Sequence, residues 1–371
     1  MGFNCGIVGL PNVGKSTLFN ALTATATAEA ANYPFCTIEP NVGRVAVPDP
    51  RLDRIARIAG SAKIVPTFLE FVDIAGLVRG ASRGEGLGNQ FLANIREVDA
   101  IAHVLRCFDD GQVTHVEGSV DPLRDADTVE TELMLADLDS LERRYDTAVK
   151  KARTGDREAK EQVAVMEPTL AALRDGRPAR SVAIEPQLQP VFRRLQLLTA
   201  KPVLYVCNVE EEAATEGNRW SRAVAERAAR EGAAAVVISA AIEAEVAQLA
   251  DPEEKQEFLA SLGLEEPGLN RVIRAGYDLL GLVTFFTVGP KEARAWTVPA
   301  GAKAPQAAGT IHTDFEQGFI VAETIAYDDF VACGGEQGAK AAGKMRQEGR
   351  DYVVQDGDVM LFRFNVSKRA S

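Results

Sequence analysis

Short runs dominated by apolar side chains alternate with helix-like stretches from residue 1 to about residue 126. Residues 5–8, 68–72 and 101–105 are such runs, and the alternation predicts a parallel sheet with covering helices. The period then changes. Met134, Leu138, Leu141, Tyr145, Ala148 and Ala152 recur at steps of four, three, four, three and four. After Thr154, Gly155 and Asp156, a second series holds Ala159, Val163, Met166, Leu170 and Leu173. Two heptad-type seams joined by a tight glycine turn predict an antiparallel helical hairpin. Strand-like runs resume at residues 202–207 and 235–238, with helix-like stretches at 221–231 and 270–279. The hairpin is therefore an insertion whose two ends lie close together. Beyond about residue 282, residues 283–288 and 293–298 pattern as paired strands, and 301–311 as a short helix. Residues 352–354 and 359–364 flank Gln355, Asp356, Gly357 and Asp358 as a strand, turn and strand. The fold class is α/β. Its domain divisions are 1–126, an inserted coiled-coil arm over 127–198, a return to the first domain over 199–281, and a small mixed domain over 282–366.

Composition narrows the partners. A length of 371 residues calls for more than one core. A net charge of −12 excludes a general basic field for nucleic acid or anionic membrane, so no DNA partner is expected. The arm carries thirteen acidic and twelve basic residues, a dense but balanced set that fits a narrow solvated structure. Lys340, Lys344, Arg346 and Arg350 form a local basic cluster, read as an ordinary charged loop rather than an RNA-facing patch. Five scattered cysteines fit a reducing compartment better than a zinc site or disulfide framework. With no apolar run of spanning length and no signal-like segment, the expectation is a cytoplasmic protein without a membrane partner, and a monomer.

The candidate chemistry begins at Gly9, Leu10, Pro11, Asn12, Val13, Gly14, Lys15 and Ser16, between the first strand and a helix-like stretch. A strand, a glycine-bounded loop ending in Gly-Lys-Ser and a helix make a phosphate cradle. Amides from Asn12 through Val13, Gly14, Lys15, Ser16 and Thr17 point at phosphates. Lys15 reaches the outer phosphate oxygens, and the Ser16 hydroxyl is a candidate Mg2+ ligand. Asp73, at the end of the run 68–72, is a candidate to hold Mg2+ through water, and Gly76 to offer an amide to the γ-phosphate. Thr37, in a proline-flanked loop between these motifs, is the second candidate metal ligand. The run 202–207 ends in Asn208, Val209, Glu210 and Glu211, where guanine-specific switches carry Asn-Lys-x-Asp. Glu211 has one methylene more than the Asp that accepts from guanine, so the base residues Asn208, Val209 and Glu211 favour ATP over GTP. Ser239 marks a second base-side loop.

The segments GLPNVGKST, NYPFCTIEPN, FVDIAGLVRGASRGEGLGNQFL, NVEE and DGDVMLFRFNV resemble the YchF-type ATPases, an Obg-related branch of the P-loop switch nucleotidases. The resemblance covers essentially the whole chain. It implies a nucleotidase domain interrupted by the helical arm, a C-terminal TGS domain of β-grasp type, preference for ATP, and association with ribosomes. Leu77 stands where a Gln would orient the attacking water, and leucine cannot hydrogen-bond to it. The resemblance assigns that work to a loop histidine, here His115. His115 lies in a polar stretch, whereas His103 lies within an apolar run and reads as a core residue. Asn12 beside an apolar position 77 makes K+ a second candidate cofactor besides Mg2+. A GTP-specific translational GTPase and a ribosome- or protein-binding module with incidental hydrolysis remain the alternative readings.

Overall fold

The computed structural model describes residues 3–30, 41–74, 87–111 and 118–365. The elements, in chain order, begin with β1 (Asn4–Val8), α1 (Lys15–Ala30), β2 (Val42–Ala46), α2 (Pro50–Ala59), β3 (Ile64–Val65) and β4 (Phe68–Asp73). They continue with α3 (Leu87–Glu97), β5 (Ala100–Arg106), α4 (Pro122–Arg153), α5 (Arg157–Arg174), α6 (Gln189–Arg194), β6 (Val203–Asn208), α7 (Arg219–Glu231) and β7 (Ala234–Ile238). Three helices follow: α8 (Ala240–Val246), α9 (Pro252–Ser261) and α10 (Gly268–Leu279). The last elements are β8 (Leu282–Val288), β9 (Ala293–Pro299), α11 (Ala304–Ile311), α12 (Thr313–Gln317), β10 (Phe319–Ile325), α13 (Tyr327–Ala332), α14 (Glu336–Ala341), β11 (Arg346–Glu348) and β12 (Val359–Phe364).

The chain forms two units, Met1–Val45 with Glu70–Leu279, and Ala46–Leu69 with Leu280–Ser371. The first holds a sheet of order β2-β4-β1-β5-β6-β7. Its pairs β1–β4, β1–β5, β5–β6 and β6–β7 are all parallel. β5 and β6 are buried along their whole lengths, which is why their sequences are nearly continuous apolar runs. Parallel strands place every strand's C-terminal end on one edge, where loops collect and ligands bind.

The inserted arm is a helical hairpin with α4 and α5 running antiparallel. Leu141, Ala148, Met166, Leu170 and Leu173 are buried in its seam, and Met134, Leu138, Tyr145 and Val163 pack against them. These are positions of the two heptad-type series. The first helix starts at Pro122, with Asp121 capping it by accepting from the Arg124 amide, five residues before the compositional change. Its root is closed by Asp137, whose carboxylate accepts from the Leu198 and Thr199 amides, both at 2.8 Å. The close approach of the insertion's two ends is visible in those bonds.

The second unit holds a mixed sheet of order β11-β10-β12-β8-β9-β3. β8 and β9 form the expected antiparallel pair. The expected terminal strand–turn–strand does not form. Val353 makes only an isolated bridge with Lys303, while β12 pairs antiparallel with β10 and parallel with β8. Three residues with a local turn bury too little to compete with a central position between two longer strands. Pattern alone also gave no sign that Ala46–Leu69 groups with the C-terminal residues. Leu52, Ile55 and Ala56 of α2 enter one core with Phe286, Ile325, Phe330 and Val359, and Arg51 bridges Asp49 and Asp356. Of the basic cluster, Lys344 pairs with Asp329 and Arg346 with Glu348, while Arg350 donates to the Phe319 carbonyl. No helix among the described residues is long and apolar enough to cross a membrane.

Candidate nucleotide-binding site

β1 ends at Val8, and the chain turns through residues 9–14 into α1, whose first residues are Lys15 and Ser16. Two backbone angles make this turn possible: φ is +62° at Asn12 and +92° at Gly14. The second lies where side chains are rarely accommodated, and a glycine removes that cost. Val13 is buried, whereas Asn12, Ser16 and Thr17 are exposed. The first amides of α1 lack intrahelical acceptors and carry the positive end of the helix dipole, so this turn is suited to an anion. Asp73 closes β4 in register with Ile7 of β1. Its Oδ1 lies 2.6 Å from Lys15 Nζ, with the two side chains only 21% and 11% exposed. The neighbouring strand ends thus bring together a lysine from the loop and a carboxylate 58 residues further along the chain.

On the other side of β1, β6 delivers Asn208 to the same edge. Its Nδ2 donates to the Val13 carbonyl at 3.0 Å, and its Oδ1 accepts from the Ala240 amide at 2.9 Å. Asn208 is buried, so both ends of its amide are satisfied internally. It sews the phosphate loop to the loop after β7. Val209 is buried and its amide donates to Ile238. Glu211 opens a short 3-10 turn and is exposed. Ser239 is buried at the start of α8, with no side-chain cap bond.

Two residues enter this region that the sequence did not single out. Asn218 Nδ2 donates to the Cys107 carbonyl at 2.6 Å and to both Glu210 carboxylate oxygens, at 3.1 and 3.0 Å. It also caps α7 in a reciprocal box with Ser221. The Asn-x-x-Ser spacing before an amphipathic helix was its available signal, though that signal speaks of helix capping alone. Arg106 is fully buried at the end of β5 and donates to the Phe108 and Asp110 carbonyls. Nothing in an apolar strand followed by Arg announces that geometry. Thr37, Gly76 and His115 lie outside the described residues, as do Cys36 and Leu77.

His103 is a core residue, 4% exposed, with its ring tilted against Tyr205 and its Nε2 without a partner. Burial first, then the charges of Arg227 and Arg180, lower its pKa from 6.5 to about 3. Below pH 6.5 the unfolded chain takes up a proton here and the folded chain does not, so stability falls as the pH drops toward 3. Wild type is expected to lose about 1.4 kcal/mol more than His103→Leu between pH 7.5 and 5.5, measured by urea denaturation. Equal pH slopes in the two proteins would contradict the neutral buried imidazole.

The residues present suit Mg2+. A hydroxyl at the first turn of α1 and a carboxylate at the end of β4 are hard oxygen donors, and Mg2+ characteristically takes few protein ligands and completes its shell from phosphates and water. No group of three or more His, Cys, Asp or Glu side chains suited to enclosing a metal occurs among the described residues.

A glycine-bounded Gly-Lys-Ser loop at the central strand of a parallel sheet, with Asp73 beside it and Asn208 tied across it, defines a P-loop nucleoside-triphosphatase. Two family profiles match, one described as a 50S ribosome-binding GTPase over residues 4–165 and a YchF-GTPase C-terminal profile, described as a protein of unknown function, over residues 282–365. The chain belongs to the YchF family. It is 62% identical over 366 residues to the ribosome-binding ATPase YchF of Haemophilus influenzae, covering 99% of this chain and 100% of that protein. Identity to the Bacillus subtilis protein of the same name is 54% over 368 residues, with the same coverage. Among solved structures, the Schizosaccharomyces pombe YchF GTPase superposes with a TM-score of 0.88 at 38% identity, covering 98% of each chain. A GTP-binding protein from Pyrococcus horikoshii, at 19% identity and a TM-score of 0.60, shares the fold alone; it covers 98% of this chain and is itself covered completely.

Proposed function

We propose that this protein is an Mg2+-dependent ATPase that hydrolyses ATP to ADP and phosphate and uses the cycle to change its affinity for the ribosome. The observation that carries the reading is the Asn208 carboxamide, bonded to Val13 of the phosphate loop and to Ala240 of the base-side loop. One residue thereby makes a phosphate grip and a purine grip into a single site. ATP is favoured because Glu211 is exposed and longer than the Asp that guanine requires. The relatives named ribosome-binding ATPase support both the nucleotide and the partner. Lys15 and the amides of residues 12–17 hold the phosphates, Gly76 senses the γ-phosphate, and Asn208, Val209, Glu211 and Ser239 frame the base. Ser16 and Thr37 would bind Mg2+ directly and Asp73 through water. The metal supplies neutralisation of charge on the phosphate oxygens. We read residues 127–198 as an inserted coiled-coil arm and 282–366 as a TGS domain.

Calorimetric titration with Mg·ATP and Mg·GTP tests the proposal. Tighter ATP binding is expected, and a tenfold preference for GTP would overturn it. Co-sedimentation with ribosomes should differ between ATP-bound and ADP-bound protein. Equal sedimentation in both states would reduce the protein to a binding module.

His115 is the proposed group that holds the attacking water, since Leu77 cannot. His115→Ala should retain ATP affinity while turnover falls about 100-fold, the lower range for positioned acid–base groups. Wild-type turnover in that variant would remove the role. K+ held near Asn12 is expected to raise turnover above that in Na+ at equal ionic strength, and equal rates would exclude it.

A further inference from the structure

We infer that Arg227 and Asn218 are positioning residues for purine recognition, acting through α7 to tie the root of the arm to the base loop. This inference rests on the nucleotide site proposed above. At its C-terminal half, α7 grips the arm. Arg227 is only 12% exposed and donates to the Leu123 carbonyl, to Asp127 at 2.6 Å and to Glu130 at 3.0 Å, while also bonding Glu231 on its own helix at 2.7 Å. Arg180, in the short 3-10 turn Ala179–Ser181 that follows α5, pairs with the same Glu130 and lies 3.7 Å from Glu231. The Tyr205 hydroxyl donates to Glu231 at 2.8 Å, so β6 enters the cluster three residues before Asn208. At its N-terminus, α7 grips the base loop through Asn218, bonded to Glu210 and to the end of β5 at Cys107.

One helix of thirteen residues, about 20 Å long, therefore has one end in the arm and the other in the purine site. A packed helix with Val224 and Ala228 buried moves as a body, so a shift of α4 at Asp127 or Glu130 reaches Glu210 rather than dissipating. Partner contact with the arm then changes base affinity, and by linkage the nucleotide changes arm position. The phosphate loop is carried by β1 and α1 and joins this route at the Asn208–Val13 bond, so a shift of α7 should reach the phosphates less than the base.

The test compares binding of Mg·ATP and Mg·tripolyphosphate, which lacks the base. Arg227→Ala and Asn218→Ala should each weaken ATP about fivefold, the low end of site-to-site coupling, with a clearly smaller loss for tripolyphosphate. The double variant should lose no more than the larger single loss, because both break one chain. Arg227→Lys and Glu130→Gln, which perturb packing less, carry the same expectation if Arg227→Ala does not fold. Unchanged ATP affinity in folded variants, equal loss for both ligands, or additive losses would overturn the inference alone. Wild-type protein that binds tripolyphosphate but no purine nucleotide would overturn the proposed site and this inference with it.

Discussion

Replacing Lys15 with alanine should weaken Mg·ATP binding by roughly two to three orders of magnitude while leaving the fold in place. Lys15 stands at the first position of α1 with its ammonium 2.6 Å from Asp73, in a partly enclosed site. A triphosphate brought to the neighbouring amides takes that ammonium as its nearest compensating charge. Removing one member of a hydrogen-bonded charge pair in such a setting costs about 2–5 kcal/mol. The loss should appear equally with tripolyphosphate, because the lysine addresses phosphate and not base. Lys15→Arg should not restore affinity, since a planar fork cannot occupy the position of a compact ammonium. Truncating Lys15 leaves the Asp73 carboxylate without its 2.6 Å partner but opens it to water, so the melting temperature should fall modestly while the protein still folds. Calorimetry that finds ATP affinity within about tenfold of wild type in Lys15→Ala would show that this loop is not the phosphate grip.

Gly14→Ala should damage both stability and purine binding. A Cβ at this position would lie 2.2 Å from Asn208 Nδ2, on a backbone whose φ is +92°. Backbone strain of about 1–3 kcal/mol adds to a similar cost for displacing the buried Asn208 amide from Val13. Together these amount to about 3 kcal/mol or more, which for a domain of this size lowers the melting temperature by roughly 6–12 °C. Asn208→Ala separates the two contributions, because it removes the carboxamide and keeps the glycine. Thermal melts and ATP titrations of both variants should rank Gly14→Ala as the more damaged. A Gly14→Ala protein that melts and binds like wild type would contradict the close approach of the two loops.

The phosphate loop, the strand ending at Asp73 and the strand ending at Asn208 were legible because each is a local signal. An apolar run fixes a buried strand, and the residues just after it must lie at the sheet's C-terminal edge. The arm was legible for a similar reason, since Leu141, Met166 and Leu170 fall on heptad spacings that only a helix–helix seam uses. By contrast, Tyr352 to Val354 had strand composition without a strand's partner. Burial of β12 between β10 and β8 was decided by residues far away in the chain.

By itself, the sequence determined the α/β class, the inserted helical hairpin and the glycine-bounded loop between β1 and α1, while the residues it offers to phosphate, metal and base belong to the proposal above. These follow from periodicity and from backbone geometry that neighbouring residues impose. Only the tertiary structure decided that Ala46–Leu69 groups with the C-terminal residues, that the Asn208 carboxamide bonds both Val13 and Ala240, and that Arg227 locks the arm to α7. Each of those is a contact between residues distant in sequence. Such contacts depend on which surfaces the packed elements bring together, and no local pattern encodes that.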